Sequence, residues 1–107
     1  MSRYAVEWAI TARDDLGVIA SYIAEDSVIN ALKVVERIET RAETLVTLPM
    51  RGRIVPELRW HGVMTFQELI ERPWRLIYRI EARRVVVVSV LDGRRNLEDL
   101  LLDRFVR

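Results

Sequence analysis

The stretch Pro73-Trp74-Arg75-Leu76-Ile77-Tyr78-Arg79-Ile80, followed by Glu81-Ala82-Arg83 and then Arg84-Val85-Val86-Val87-Val88-Ser89-Val90-Leu91, decides the fold. It reads as two strands joined by a short turn. In the first, Trp74, Leu76, Tyr78 and Ile80 fall on one face and Arg75, Ile77 and Arg79 on the other, the period-2 pattern of a strand. The second is almost wholly apolar and β-branched, as expected of a central strand covered on both faces. A basic turn, Asp92-Gly93-Arg94-Arg95, follows at once. Arg75 and Arg79 on a strand face, and Arg94 and Arg95 beyond the next strand, can converge on one surface. Arginine stays protonated in proteins, so these four are candidates for binding or stabilising an anion rather than abstracting a proton.

Working outward, Arg3 to Trp8 alternates and predicts a first strand. Thr11-Ala12-Arg13-Asp14 fits a capping box for a helix from about Ala12 to Glu25, with the apolar stripe Ala12, Leu16, Ile19 and Ile23. Gly17 costs about 1 kcal/mol inside a helix, and a close helix–helix approach would explain it. Ser27 caps a second helix to about Thr47, with the stripe Ala31, Val35, Ile38, Ala42 and Leu45. The short break predicts an antiparallel helical hairpin. Pro49 ends that helix. Residues 49–63 read as an ordered, irregular connection holding Trp60 and the only histidine, His61. Met64 to Ile70 is a further strand, with Phe66 and Glu68 on one face. After the central pair, Asn96 is placed to cap a short helix from Leu97 to Val106.

The expected fold class is α+β, in the order β-α-α-β-β-β with a short C-terminal helix. A helical hairpin packs on a mainly antiparallel four-stranded sheet. The 107 residues bound the chain to a single domain, 1–107. The sheet's second face stays open unless a partner or the C-terminal helix covers it.

Net charge is +1, but it is distributed unevenly. Residues 1–48 carry five basic groups against eight acidic ones, whereas residues 49–107 carry twelve arginines against eight acids. Sixteen of the seventeen basic residues are arginine, the side chain suited to bidentate recognition of carboxylate or phosphate. Cysteine is absent, which removes disulfides and thiolate metal sites. Charges at Glu7, Arg13 and Asp14 break any apolar signal segment. The longest apolar run, Val85 to Leu91, is far too short to span a bilayer. The expectation is a cytoplasmic protein with no membrane association, no metal and no cofactor.

No HExxH, no glycine-rich phosphate loop and no Cys–His arrangement is present. Glu57, Glu68 and His61 are the available proton carriers, although carboxylates beside arginines are more often structural ion pairs.

The layout and motifs resemble the RelE/ParE superfamily of bacterial type II toxins. The resemblance rests on Ala12-x-x-Asp15-Leu16-x-x-Ile19-x-x-Tyr22-Ile23, on Leu48-Pro49-x-x-Gly52-Arg53-x-x-Pro56-Glu57-Leu58, on Glu68-Leu69-Ile70-x-x-Pro73-x-Arg75-Leu76-Ile77-Tyr78-Arg79, and on Gly93-Arg94-Arg95. It implies a toxin of a plasmid-stabilisation type system, neutralised by a cognate ParD- or RelB-like antitoxin that alone carries operator-DNA binding. Two activities are implied. ParE-like members poison DNA gyrase, and RelE-like members cleave mRNA on the ribosome. By the resemblance, Arg75 and Arg95 match two RelE catalytic arginines. The family's catalytic tyrosine falls near Leu101, and its lysines fall near Phe66 and Glu68. Those departures favour the gyrase reading, with Arg75, Arg79, Arg94 and Arg95 as target-binding residues. Under the ribonuclease alternative, Glu57, Glu68 or His61 would carry protons. A third reading is a degenerate member that only binds its antitoxin. The partner is expected to be an acidic or amphipathic segment that folds across the apolar hairpin and extends along the sheet, with Trp60 and Phe66 as anchors.

Overall fold

The computed structural model describes residues 3–106. The elements are β1 (Ala5–Trp8), α1 (Ile10–Ala24), α2 (Val28–Glu43) with a 3₁₀ turn (Thr44–Val46), β2 (Arg53–Ile54), α3 (Pro56–Trp60), β3 (Phe66–Glu71), β4 (Trp74–Glu81), β5 (Arg84–Asp92) and α4 (Glu98–Phe105). The α+β class and the helical hairpin on a mainly antiparallel sheet are as expected. The sheet has five strands rather than four, in the order β1-β5-β4-β3-β2. The added strand, β2, pairs only Arg53 with Glu68 and Ile54 with Gln67. β1 lies parallel to β5 at the other edge, and the remaining pairings are antiparallel.

Alternation along β4 sorts the core into two layers. Trp74, Leu76 and Tyr78 join Val85, Val87 and Val90 beneath the hairpin, where Ala12, Ile38, Ala42 and Leu45 meet them and Leu16, Ile19 and Ile23 pack alongside. Ile77, Val86, Val88 and Leu91 form the other layer, with Val55 and Leu58 near or on α3 and Leu97 and Leu101 near or on α4. The sheet's second face is therefore covered from within the chain. A register shift at Ile77/Tyr78 leaves an extra residue on β5, so the residues from Ser89 onward change phase.

Three local expectations change. α1 starts at Ile10, and its N-cap is Ala9, with no side-chain cap. The Ala9 amide donates to the Val87 carbonyl at 2.9 Å, and the Ala9 carbonyl accepts from Arg13. The strand thus runs straight into the helix, and Thr11 lies in its first turn. Gly17 faces open space, with no atom within 4 Å of where a Cβ would stand, so no close helix approach explains it. α4 begins one residue late, after Leu97; Asn96 Oδ1 accepts from the Glu98 amide at 3.2 Å. Ser27 caps α2 as expected, accepting from the Asn30 amide at 3.1 Å.

Candidate functional site: an arginine clamp and its cleft

Arg75 sits on the β4 face turned away from the hairpin, and only a tenth of its side chain is exposed. Glu57, in the first turn of α3, holds both terminal nitrogens: Nη1 donates to Oε2 and Nη2 to Oε1, each at 2.7 Å. Glu68 of β3 accepts from Nε at 2.6 Å and from Nη2 at 3.1 Å. The second Glu68 oxygen also accepts from Arg53 Nε at 2.8 Å. The Glu68 side chain is fully enclosed. Burying that charge is tolerable because two guanidinium groups satisfy it.

The geometry follows from the strands. Arg75 pairs across the ladder with Ile70, and Glu68 with Ile77, so Glu68 and Arg75 are diagonal neighbours on one face. Pro56 at the start of α3 turns the chain so that Glu57 closes the clamp from above. Hydrogen bonding to Arg75 holds the Glu57 carboxyl below the usual carboxylate range, against a smaller desolvation effect. The same bonds raise the Arg75 pKa. A carboxylate held in this way is a weak base, and Arg75 is a fixed positive charge.

Two glycines permit this packing. Gly52 presses against Tyr78: a Cβ there would collide with the Tyr78 hydroxyl and stand 2.5 Å from the Glu68 carbonyl oxygen. Tyr78 in turn donates to the Pro49 carbonyl at 2.8 Å and accepts from the Gly52 amide at 3.0 Å. Burial raises the Tyr78 pKa, so the hydroxyl stays a donor. This explains the Pro49-x-x-Gly52-Arg53 spacing as a loop tied down onto β4. Gly93 approaches the β3–β4 turn: its amide donates to the Pro73 carbonyl at 2.7 Å. A Cβ there would stand 2.9 Å from that oxygen and 3.1 Å from Arg75 Cγ.

The other expected site residues are dispersed. Arg79 pairs with Glu81 at 3.0 Å. Arg94 folds back on Asp92, with Nη2 donating to Oδ2 at 2.8 Å, and it holds the Asp92 carboxyl below its usual range. Arg95 is exposed on the same turn. His61 stands beyond α3, 3.9 Å from Glu98, in a shallow recess with Asp99, Leu102, Asp103 and Val106, and takes no part in the clamp. Trp60 is 85% exposed. Phe66 is partly buried in the second core layer, its ring 4.5 Å from that of Phe105 on α4. Leu101 is fully buried.

A cleft of about 350 Å³ opens beside the clamp, lined by Arg53, Ile70, Arg72, Pro73, Arg75, Gly93 and Arg94. Arg53 and Arg72 are not among the site residues expected from the sequence. The signal available for Arg53 was its place in the Gly52-Arg53 pair; for Arg72, nothing but its place before Pro73.

The fold aligns with chains of two solved toxin–antitoxin systems. One is the chromosomal ParDE system from P. aeruginosa, with a TM-score of 0.69 and 22% identity over 84% of this chain and 96% of that one. The other is the RelBE2 toxin–antitoxin complex from Mycobacterium tuberculosis, with a TM-score of 0.65 and 22% identity over 86% and 93%. At that identity the likeness establishes the α+β fold alone. Residues 6–97 match the ParE toxin of type II toxin-antitoxin system, parDE, so the chain belongs to the ParE toxin family. Toxin ParE3 of Caulobacter vibrioides is 38% identical over 72 residues, 64% of this chain and 68% of that protein. No helix among the described residues is long and apolar enough to cross a membrane.

Proposed function

We propose that this type II toxin arrests growth by poisoning DNA gyrase in the cytoplasm and is neutralised by a cognate antitoxin, with operator DNA bound only through that antitoxin. The supporting observation is the clamp. Ribonucleolysis needs one group to activate a 2′-hydroxyl and another to protonate the leaving oxygen. Glu57 and Glu68 are both committed to Arg75. His61 faces Glu98, and Leu101, at the tyrosine position, is buried. A poison that acts by binding needs none of these groups, only a fixed surface. Arg79, Arg94 and Arg95 then serve target binding directly, and Arg75 holds the surface in shape.

The antitoxin segment has an apolar surface available to it. Ile10, Val18 and Tyr22 on α1, and Val28, Ile29 and Leu32 on α2, are each at least 62% exposed. They form the outward stripes of the hairpin, the kind of surface an amphipathic helix covers. Trp60, also exposed, is a further aromatic anchor. Expression in cells tests the reading. Growth arrest with induction of a DNA-damage reporter, reversed by the neighbouring antitoxin, is expected. Arrest with cleaved mRNA and a silent reporter would replace it with the ribonuclease reading, and no arrest would leave a binding-only member.

A further inference from the structure

We infer that the cleft between the β3–β4 turn and the β5–α4 turn binds the phosphodiester backbone of a nucleic acid, through Arg53, Arg72 and Arg94. The inference deepens the gyrase reading: the DNA held by the poisoned enzyme would be the ligand.

The cleft is lined by four arginines and no carboxylate. Arg75 is spent on Glu57 and Glu68, and its stem lies against Gly93 at the cleft floor. The other three keep donors to offer. Arg53 spends Nε on Glu68, and among the described residues its two terminal nitrogens meet no acceptor. Arg72 uses only its backbone carbonyl, which accepts from Arg37 Nη2 at 3.1 Å, leaving the whole guanidinium fork uncommitted among the described residues. Arg94 spends Nε and Nη2 on Asp92 and keeps Nη1. A guanidinium carries five donors, so each of these side chains can take a further acceptor.

The rims are fixed before any ligand arrives. Arg37 ties the Arg72 carbonyl to α2. Gly93 ties the opposite turn to Pro73 through a 2.7 Å bond. Asp92 sets the direction of Arg94 through two side-chain bonds. Donors arriving from three elements around one opening suit a tetrahedral group with several acceptor oxygens better than a planar carboxylate, which one fork satisfies. Arg95, exposed, follows Arg94 on the β5–α4 turn. That is more positive charge than one phosphate engages, and it suits a polymer that presents phosphates in series.

The test measures fluorescence anisotropy of a labelled 20-base-pair DNA duplex with the purified full chain, without gyrase, across a salt series. The native chain should bind, and its affinity should fall with salt at a slope of about 0.9 per phosphate engaged. An Arg72→Gln/Arg94→Gln double variant, shown by circular dichroism and antitoxin binding to be folded, should lose about tenfold in affinity and about two from the slope. An Arg83→Gln/Arg84→Gln variant removes equal charge at the far end of β5 and should lose less than about threefold. An RNA hairpin that binds with the same dependence on Arg72 and Arg94 also supports a backbone-phosphate site, and the ratio of the two affinities tells DNA from RNA. Equal losses in both double variants, or no duplex binding by the native chain at low salt, would overturn the inference. So would a polyglutamate peptide of equal charge binding as tightly as the duplex, which would assign the cleft to a carboxylate-bearing partner. Because gyrase is absent, failure here leaves the gyrase reading standing, and failure of gyrase poisoning leaves this site standing.

Discussion

Arg75 and Glu57 face each other through two hydrogen bonds of equal length, 2.7 Å, across eighteen residues of chain that include an entire strand and the α3 helix. This pair locks α3 onto the sheet. Removing Arg75 leaves Glu68, whose side chain is fully enclosed, with only the solvent-facing Arg53. Arg75→Ala should therefore cost about 3–5 kcal/mol of stability, measured by urea unfolding. A loss below about 1 kcal/mol would show that the clamp is not structural. Loss of toxicity in this variant would then report on the fold as much as on target contact.

The clamp predicts a pH dependence whose sign is set by Glu57. Its folded pKa lies below the ordinary value of 4.5, so its contribution to stability is fully present above that value and is lost as pH falls through the lower folded one. Stability should decline as pH falls below about 5, more steeply in the native chain than in Glu57→Gln. Parallel profiles for the two proteins would assign the acid sensitivity to other carboxylates, of which Asp92 is one, also held low by its arginine.

Much of this was readable beforehand, and the boundary has physical causes. Alternation in Trp74 to Ile80 showed which β4 residues share a face, because successive side chains of a strand point to opposite sides; both faces are buried over Trp74 to Tyr78. Alternation in Met64 to Ile70 put Phe66 and Glu68 together on one face. The segment 49–63 was opaque. A two-residue strand has no periodicity to detect, and the five-residue helix Pro56–Trp60 is shorter than two turns. The clamp could be suspected from residue types but not assembled, since it depends on where that short helix lands. Asp15 was recognised only as part of a helix motif. The structure shows it accepting from the Val90 amide beside the bulge and from both terminal nitrogens of Arg104.

That link predicts the behaviour of α4. Arg104 also donates to Ser89 Oγ at 2.8 Å, so one guanidinium joins α4 to α1 and β5. Asp15→Ala removes the acceptor of a partly buried amide and a partly buried cation, and should destabilise the chain by about 2–4 kcal/mol. Hydrogen exchange should speed up most in α4 and around Ser89–Val90. Uniform acceleration across the chain would contradict a local latch.

Two glycines should respond in opposite directions. Gly52→Ala drives a methyl group into the Tyr78 hydroxyl and the Glu68 backbone, and should cost about 1–3 kcal/mol. Gly17→Ala meets nothing and sits inside α1, so it should stabilise the chain by up to about 1 kcal/mol. Thermal unfolding of both variants decides the matter, and destabilisation by Gly17→Ala would mean that α1 packs against something the isolated chain does not show.

The action proposed for this ParE-family chain is binding of gyrase through a pre-formed basic surface, without proton-transfer chemistry. Its most direct measurement incubates the purified toxin with gyrase, ATP, magnesium and supercoiled plasmid, and quantifies trapped cleaved DNA after detergent treatment. A parallel reaction with translating ribosomes scores mRNA cut in the A site. The expected result is cleaved plasmid that rises with toxin, disappears with excess antitoxin and is unchanged in His61→Gln, with intact mRNA. Intact plasmid together with A-site cleavage that His61→Gln abolishes would contradict it.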